Sequence, residues 1–155
     1  MEKYRGTKNN PYHISCGGLI YRKKGAEIEV LLLHRFKKDG WEYNSWHLPK
    51  GTRRANETEE ETTKREILEE TGYQVEVGEK IGSLQSTYIK EGVTIYKKTH
   101  YFLCRPKEKI EGKIGEHDEI QWVSLSKAIK LLSQFPKFEK EEKILLKFQK
   151  KKEEV

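Results

Sequence analysis

The sequence predicts an α/β fold in which a mixed β-sheet is sandwiched between α-helices (α/β/α). Three observations support this. Apolar, β-branched runs such as EVLLLH and HYFLC have the pattern of strands, a segment without Gly or Pro between them has the pattern of a helix, and further helical segments close the chain. No repeat or Pro/Gly/Ser-rich linker divides the 155 residues, so we expect one domain spanning residues 1–155.

The composition favours a soluble, anion-binding protein. The net charge is +6, which attracts nucleotides, nucleic acids and other polyphosphates without choosing among them. No run approaches the roughly 20 apolar residues of a membrane span, and the N-terminus lacks the apolar segment of a secretory signal. We therefore expect a cytoplasmic protein with no membrane partner. Cys16 and Cys104 lie in apolar runs, and we expect them to be buried free thiols.

The first predicted elements form a β-hairpin. His13–Arg22 and Ile28–Phe36 are both apolar and β-branched, and the turn KKGAE joins them. The polar stretch KKDGWEYNSW then predicts a longer loop, which ends in the short segment HLPKG.

A helix with clear start and stop signals follows. Thr58 and Glu61 have the spacing of a capping box, and Gly72 is a typical C-terminal stop. We interpret Glu59 and Glu60 as solvated acids that favour the positive end of the helix dipole.

The second half of the chain predicts two long strands, one short strand and two helices. Gln74–Ile89 and Val93–Cys104 are strand-like and flank the turn KEGV; Glu119–Val123 precedes the helical stretch SKAIKLLSQ, and Pro136 ends it. The Lys- and Glu-rich tail from residue 137 predicts a final helix, with a solvated charged face rather than a nucleic-acid patch. Its predicted apolar side consists of Phe138, Ile144, Leu145 and Phe148.

The capped helix concentrates carboxylates on one face. Glu66, Glu69 and Glu70 stand at positions i, i+3 and i+4, where like charges repel. Oxygen ligands at this density suit Mg²⁺ or Mn²⁺ rather than zinc, and several could hold more than one ion for displacement at phosphorus. The alternative is a solvated helix face in which Lys64 and Arg65 pair with these acids.

The segment GTRRANETEEETTKREILEETGY, residues 51–73, resembles the Nudix box, the signature of hydrolases of nucleoside diphosphates linked to another moiety. Gly51, Glu57 and the run REILEETG all match, and Tyr73 replaces the usual aliphatic residue. Segments on both sides extend the resemblance from about His13 to Pro136. It implies the Nudix fold and a hydrolase acting on phosphoric anhydride bonds.

The resemblance also implies roles for individual residues. Glu57 and Arg65 are expected to pair and to hold the carboxylates in place, and either Glu69 or Glu116 is expected to act as the general base, with Glu119 a weaker third candidate. The expected ligands of Mg²⁺ or Mn²⁺ are Gly51 (through its carbonyl), Glu66, Glu69, Glu70 and Glu116.

Residues flanking the box resemble the diadenosine polyphosphate hydrolase branch of the family. Lys50 stands where that branch carries a phosphate-binding lysine, and Tyr88 close to where it places a tyrosine that stacks on adenine. The implied reaction is hydrolysis of diadenosine tetraphosphate to ATP and AMP. Further candidates for a cationic rim over the polyphosphate are His34, Arg35, Lys97, Lys98 and His100.

Other functions stay open at this point. The substrate could instead be the 5′ end of RNA, a damaged nucleoside triphosphate or a diphosphoinositol polyphosphate. Nucleic acid is therefore expected as a partner only in the form of an RNA 5′ end. Whatever the substrate, we expect a monomer or a homodimer. A different class of function is a nucleotide-binding module without catalysis, but such a module is expected to have lost box carboxylates that this chain retains.

Overall fold

The computed structural model describes residues 6–35, 45–110, 119–134 and 140–153. Within these ranges the chain forms seven strands and three helices, which agrees with the predicted α/β class. In chain order the elements are β1 (Tyr12–Lys24), β2 (Glu27–Arg35), β3 (Ser45–His47), β4 (Lys50–Thr52), α1 (Glu59–Thr71), β5 (Tyr73–Lys90), β6 (Val93–Lys109), β7 (Glu119–Ser124), α2 (Leu125–Gln134) and α3 (Glu142–Glu153).

The strands form one mixed sheet. Its main path runs β3-β2-β1-β6-β5, while β4 pairs with β1 and β7 pairs with β2. The central pair, β1 and β6, is parallel, and the other pairs are antiparallel. The mixed character predicted from the sequence is therefore confirmed.

Two short strands occupy a stretch where the sequence predicted only a loop and its end. β3 pairs with the last residues of β2, and β4 pairs with the first half of β1. Each has three residues; the ladder partners of β3 lie 10–14 residues earlier in the chain, and those of β4 lie 33–37 residues earlier. Their strand structure comes from these non-local hydrogen bonds, which local propensity does not report.

Helix α1 begins and ends at the predicted signals. Thr58 Oγ1 accepts a 3.1 Å hydrogen bond from Glu61 N, and Glu61 Oε1 accepts a 2.8 Å bond from Thr58 N, which completes the capping box. Gly72 has φ of 80°, and its N–H donates to Leu68 O at 2.9 Å. These local bonds fix where the acidic face of the helix starts and ends.

Apolar side chains pack on both faces of the sheet. On one face, Ile67 of α1 packs with Ile20, Leu31, Val75 and Cys104. On the other face, strand residues pack with α2 and α3 in a larger cluster, to which the helices contribute Leu125, Ala128, Leu132, Ile144, Leu145 and Phe148. The sheet therefore lies between helices, as predicted.

The final helix is an integral part of this core. Ile144 and Leu145 are fully buried, and Phe148 is 4% exposed, as their predicted apolar side requires. The predicted position of Phe138 lies outside the described residues. The resemblance was expected to end at Pro136, but α3 belongs to the same core cluster as α2.

Both cysteines are buried free thiols, as predicted. Burial raises the pKa of Cys16 and of Cys104 to about 12, so neither is a reactive thiolate at neutral pH. Within the described part of the chain, no helix is both long enough and apolar enough to cross a bilayer.

Candidate functional site

Strand β4 lies at the boundary between the two faces of the sheet. It runs antiparallel to β1, with Gly17 opposite Lys50, Cys16 opposite Gly51 and Ser15 opposite Thr52. Because side chains alternate along a strand, Gly51 faces α1, and Lys50 and Thr52 face the other side.

Gly51 allows the acidic helix to approach the sheet closely. A Cβ atom added at Gly51 would lie 2.0 Å from Cδ of Glu66 and 2.1 Å from its Oε2. Only glycine leaves the space that the Glu66 carboxylate occupies against the β4 backbone. The backbone of one predicted metal ligand thus lies beside the carboxylate of another.

Arg65 and Glu57 form a bidentate ion pair. Arg65 Nε lies 2.6 Å from Glu57 Oε2, and Nη2 donates to Oε1 at 2.9 Å. Thr62 Oγ1 also donates to Glu57, and Arg65 and Glu57 are only 16% and 13% exposed. The hydrogen bonds from Arg65 lower the pKa of Glu57 to about 2, and the same pairing raises the pKa of Arg65. The predicted contact between these two residues is confirmed.

Arg65 also reaches the acidic face of α1. Its Nη1 donates to Glu66 Oε1 at 2.6 Å and lies 3.4 Å from Glu69 Oε2. Glu70 takes a different partner, because its Oε1 accepts a 2.9 Å hydrogen bond from Lys50 N. The structure therefore brings the three predicted carboxylates to one side of the helix, next to β4.

This donor set suits a hard divalent cation in its chemical type. All the donors are oxygens, and the Glu66 carboxylate abuts Gly51. Among the described residues, however, no three His, Cys, Asp or Glu side chains converge at metal-binding distance. Glu66 Oε1 and Glu69 Oε2 instead lie 2.6 Å and 3.4 Å from Arg65 Nη1, so a bound ion would compete with Arg65 for these carboxylates.

On the opposite face, His13 connects three strands. Its Nδ1 lies 2.9 Å from Tyr88 Oη, and its Nε2 lies 3.2 Å from Thr52 Oγ1. The His13 and Tyr88 rings meet edge to face with centroids 5.9 Å apart. Sequence reasoning missed His13, and the one available signal was its position at the start of the first predicted strand.

Two lysines lie on this same face. In the register of the sheet, Lys97 pairs with His13 on one side and with Ser86, two residues before Tyr88, on the other. Burial, and then the charge of Lys50, lowers the pKa of Lys97 to about 8. We call the half-buried surface formed by His13, Lys50, Tyr88 and Lys97 the lysine–tyrosine face.

A buried carboxylate supports the lysine–tyrosine face from α3. Glu141 is 5% exposed; its Oε1 accepts a hydrogen bond from Leu48 N at 3.0 Å, and its Oε2 accepts one from Tyr101 Oη at 2.5 Å. Lys50 Nζ lies 3.8 Å from Oε2. The predicted solvated charged face of the tail does not include Glu141, because tertiary packing encloses this carboxylate.

The other predicted residues lie elsewhere or beyond the described ranges. Arg35 stands at the end of β2, opposite Ser45 of β3. Neighbouring His34 stacks on Trp46 with centroids 3.8 Å apart and lies 2.8 Å from Glu119, the weaker base candidate. Glu116 lies outside the described residues.

The first turn of α1 differs from expectation at one acid. Glu60 is an exposed acid 3.5 Å from Lys64, as a solvated helix face requires. Glu59 is instead held 3.0 Å from Lys80 and 3.6 Å from His100, so it is a structural contact to the sheet rather than a solvated side chain. Burial lowers the pKa of His100, whose Nδ1 lies 2.7 Å from Ser83 Oγ.

Comparisons with known proteins agree with this architecture. A MutT-like protein of Streptomyces ambofaciens is 31% identical over 125 residues, which are 80% of this chain and 72% of that protein. An 8-oxo-(d)GTP phosphatase of Mycolicibacterium smegmatis is 32% identical over 112 residues, covering 72% of this chain and 31% of that protein. The chain spans only 33% of the length of another relative, a putative mutator protein MutT4 of Mycobacterium tuberculosis.

A solved structure has the same fold. The binary complex of a C. elegans Ap4A hydrolase superposes with a TM-score of 0.68 at 24% identity, covering 92% of this chain and 99% of that one. The NUDIX domain model matches residues 11–147, which extends past Pro136 into α3. The chain belongs to the NUDIX domain family.

Proposed function

We propose that this protein is a metal-dependent pyrophosphohydrolase that cleaves diadenosine tetraphosphate asymmetrically, yielding ATP and AMP. The observation that carries this proposal is the position of Lys50. Its backbone N–H donates to Glu70 of the acidic helix, while its side chain belongs to the lysine–tyrosine face. A long polyphosphate substrate needs metal-assisted hydrolysis and a binding surface. In our proposal, the first is provided on the acidic side of β4 and the second on the side of the lysine–tyrosine face.

The acidic side of β4 would hold the metal. Gly51, Glu66, Glu69 and Glu70 supply oxygen donors of the kind that Mg²⁺ or Mn²⁺ prefers. When bound, such an ion neutralises charge on the bridging phosphate oxygens and lowers the pKa of the attacking water. The ion pair of Arg65 and Glu57 would hold the neighbouring carboxylates in place, because each of the two residues also has hydrogen bonds to other groups.

In the proposed reaction, a carboxylate of the protein accepts the proton of the attacking water. Water adds to one phosphorus while the bond from that phosphorus to its bridging oxygen breaks, and the water proton passes to a carboxylate. Glu69 is the base we favour among the described residues, because its side chain is 54% exposed and therefore accessible to water. Glu116 is kept as a proposed alternative base or further ligand.

The lysine–tyrosine face would bind the rest of the substrate. Lys50 and Lys97 offset the negative charge of the phosphates, and Tyr88 provides an aromatic ring for a nucleobase. His13 orients the Tyr88 hydroxyl through their 2.9 Å hydrogen bond. Arg35 is proposed as an outer phosphate contact.

A substrate panel tests this proposal. The protein is incubated with Mg²⁺ and, separately, with diadenosine tetraphosphate, 8-oxo-dGTP, triphosphorylated RNA and a diphosphoinositol polyphosphate, and the products are resolved by chromatography. We expect ATP and AMP in equal amounts from diadenosine tetraphosphate, with the highest kcat/KM of the panel. Rapid attack on another substrate without turnover of the dinucleotide would reject the proposed substrate and leave the hydrolase class standing.

A second candidate substrate is an oxidised nucleoside triphosphate. The names of two relatives favour it: the 8-oxo-(d)GTP phosphatase described above, and an oxidized purine nucleoside triphosphate hydrolase of Danio rerio that is 33% identical over 93 residues. In that case the panel would show release of pyrophosphate from 8-oxo-dGTP. The two arms of the panel therefore discriminate directly between the candidates.

A further inference from the structure

We propose that Glu141, which immediately precedes α3, is a positioning residue that sets the position of Lys50 for phosphate binding. The proposal rests on the proposed function in that it takes Lys50 as a phosphate-binding cation. It assigns the C-terminal helix a role in the site, beyond its contribution to the core.

Glu141 is bonded to both the backbone and the side chain of the segment that leads into α1. Its Oε1 accepts from Leu48 N at 3.0 Å, and its Oε2 lies 3.8 Å from Lys50 Nζ. On the far side of the same segment, Lys50 N donates to Glu70. The chain from Leu48 to Lys50 is therefore held from α3 on one side and from α1 on the other.

The carboxylate is itself held firmly. Glu141 is 5% exposed, its Oε2 accepts a 2.5 Å hydrogen bond from the fully buried Tyr101, and its own carbonyl accepts from Ile144 N at 2.9 Å in the first turn of α3. A side chain fixed at both its backbone and its oxygens can define a position for its partner. The Lys50 ammonium is carried on a flexible four-carbon stem, so a partner that is itself fixed can determine where it lies.

A contribution to stability alone would not explain why a carboxylate is buried at this position. A buried charge is costly to desolvate, and an apolar side chain of similar volume often serves a core equally well. Glu141 also lies near two lysines, since its charge acts on Lys97 as well as on Lys50. Glu141 thereby reduces the repulsion between the ammonium groups of Lys50 and Lys97 and directs Lys50 along the lysine–tyrosine face.

The sign of the effect separates positioning from simple electrostatics. Replacing Glu141 by Gln removes a negative charge, so Coulomb attraction alone would make the lysine–tyrosine face bind anions more tightly. Loss of a positioning contact would weaken binding instead. A purely structural defect would weaken binding by the same factor whether or not Lys50 is present.

Calorimetric titration of EDTA-treated protein with inorganic tripolyphosphate tests the proposal without turnover or metal. Four proteins are compared: wild type, Glu141→Gln, Lys50→Met and the double variant. Glu142→Gln, the adjacent acid in α3, is the matched charge control. We expect Glu141→Gln to raise Kd about fivefold to tenfold in the wild-type background and by less than about twofold in the Lys50→Met background.

Three results would overturn the proposal: tighter binding by Glu141→Gln, an unchanged Kd, or the same loss in both backgrounds. Thermal melting and circular dichroism establish that each variant is folded. If Glu141→Gln does not fold, Tyr101→Phe replaces it, because this change keeps the ring and removes the O–H donor that fixes Oε2; the same Lys50-dependent loss, of smaller size, is then expected. Failure of the dinucleotide in the substrate panel would not alter these Kd values, so the two proposals fail separately.

Discussion

The backbone N–H of Lys50 donates a 2.9 Å hydrogen bond to Oε1 of Glu70. This bond joins the short strand β4 to the acidic face of α1, and the Lys50 side chain leaves β4 toward the other face of the sheet. The proposed phosphate-binding surface on one face and the proposed metal-binding carboxylates on the other are thereby joined through one residue.

Glu69→Gln should reduce turnover by two or more orders of magnitude and leave the melting temperature unchanged. The Glu69 side chain is 54% exposed, and its contact with Arg65 is long at 3.4 Å, so the fold gains little from its charge. Steady-state kinetics and thermal melting measure the two effects. The matched control is Glu60→Gln on the same helix, whose side chain is 57% exposed and whose turnover should match wild type. Unchanged turnover in Glu69→Gln would refute the role assigned to Glu69.

Glu57→Gln should lower the free energy of unfolding at pH 7 by about 2–3 kcal/mol, because it removes the bidentate carboxylate partner of the largely buried Arg65 and leaves only its contacts with Glu66 and Glu69. The pKa of Glu57 falls from 4.5 to about 2 on folding, so its stabilisation is complete above about pH 5 and is lost as the pH falls toward 2. The difference from wild type should therefore shrink over this acid range. Urea unfolding at several pH values measures it, with the exposed Glu76→Gln as control. A difference that is constant from pH 7 to pH 3 would contradict the pairing.

Gly51→Ala should weaken Mn²⁺ binding about tenfold or more without unfolding the protein. The added methyl would occupy the space of the Glu66 carboxylate, which can move away by rotating its side chain, so the fold survives while the carboxylate is displaced. Electron paramagnetic resonance of free Mn²⁺ measures the affinity. Since the effect acts through Glu66, Gly51→Ala should cause little further loss of Mn²⁺ affinity in a Glu66→Gln background. An additional full tenfold loss there would show that Gly51 acts in another way.

Lys97→Met should remove a decline in substrate affinity above about pH 8. Burial lowers the pKa of Lys97 to about 8, so its positive charge is present below that pH and is lost above it. Wild-type KM for diadenosine tetraphosphate should therefore rise from pH 7.5 to 9, whereas KM of Lys97→Met should be higher at pH 7.5 and flatter. The neighbouring Lys98→Met, on the opposite side of the strand, should retain the wild-type profile. An identical pH profile in Lys97→Met would exclude Lys97 from phosphate binding.

The sequence predicted best those features that depend on local chemistry. The start and end of α1 follow from Thr58, Glu61 and Gly72, whose signals act within a few residues. The shared face of Glu66, Glu69 and Glu70 follows from the helical repeat alone. The contact between Glu57 and Arg65 was also predicted, through the family pattern rather than through spacing.

Features that depend on distant partners were not predictable in this way. Strands β3 and β4 exist because β2 and β1 offer ladder partners. In the sequence, Glu141 cannot be distinguished from the other acids of a tail rich in Lys and Glu. Its burial depends on Tyr101 and Leu48, which lie far away in the chain. His13 became recognisable as part of the site only when the sheet brought Tyr88 and Thr52 to its two ring nitrogens.

The most direct test of the account is hydrolysis of diadenosine tetraphosphate in ¹⁸O-labelled water with Mg²⁺, followed by chromatography and mass spectrometry of both products. If the proposed reaction is correct, we expect ATP and AMP in equal amounts, one ¹⁸O atom incorporated per cleavage, and loss of nearly all turnover in Glu69→Gln. Formation of two ADP molecules, or no turnover of the dinucleotide under conditions in which 8-oxo-dGTP is hydrolysed rapidly, would contradict it.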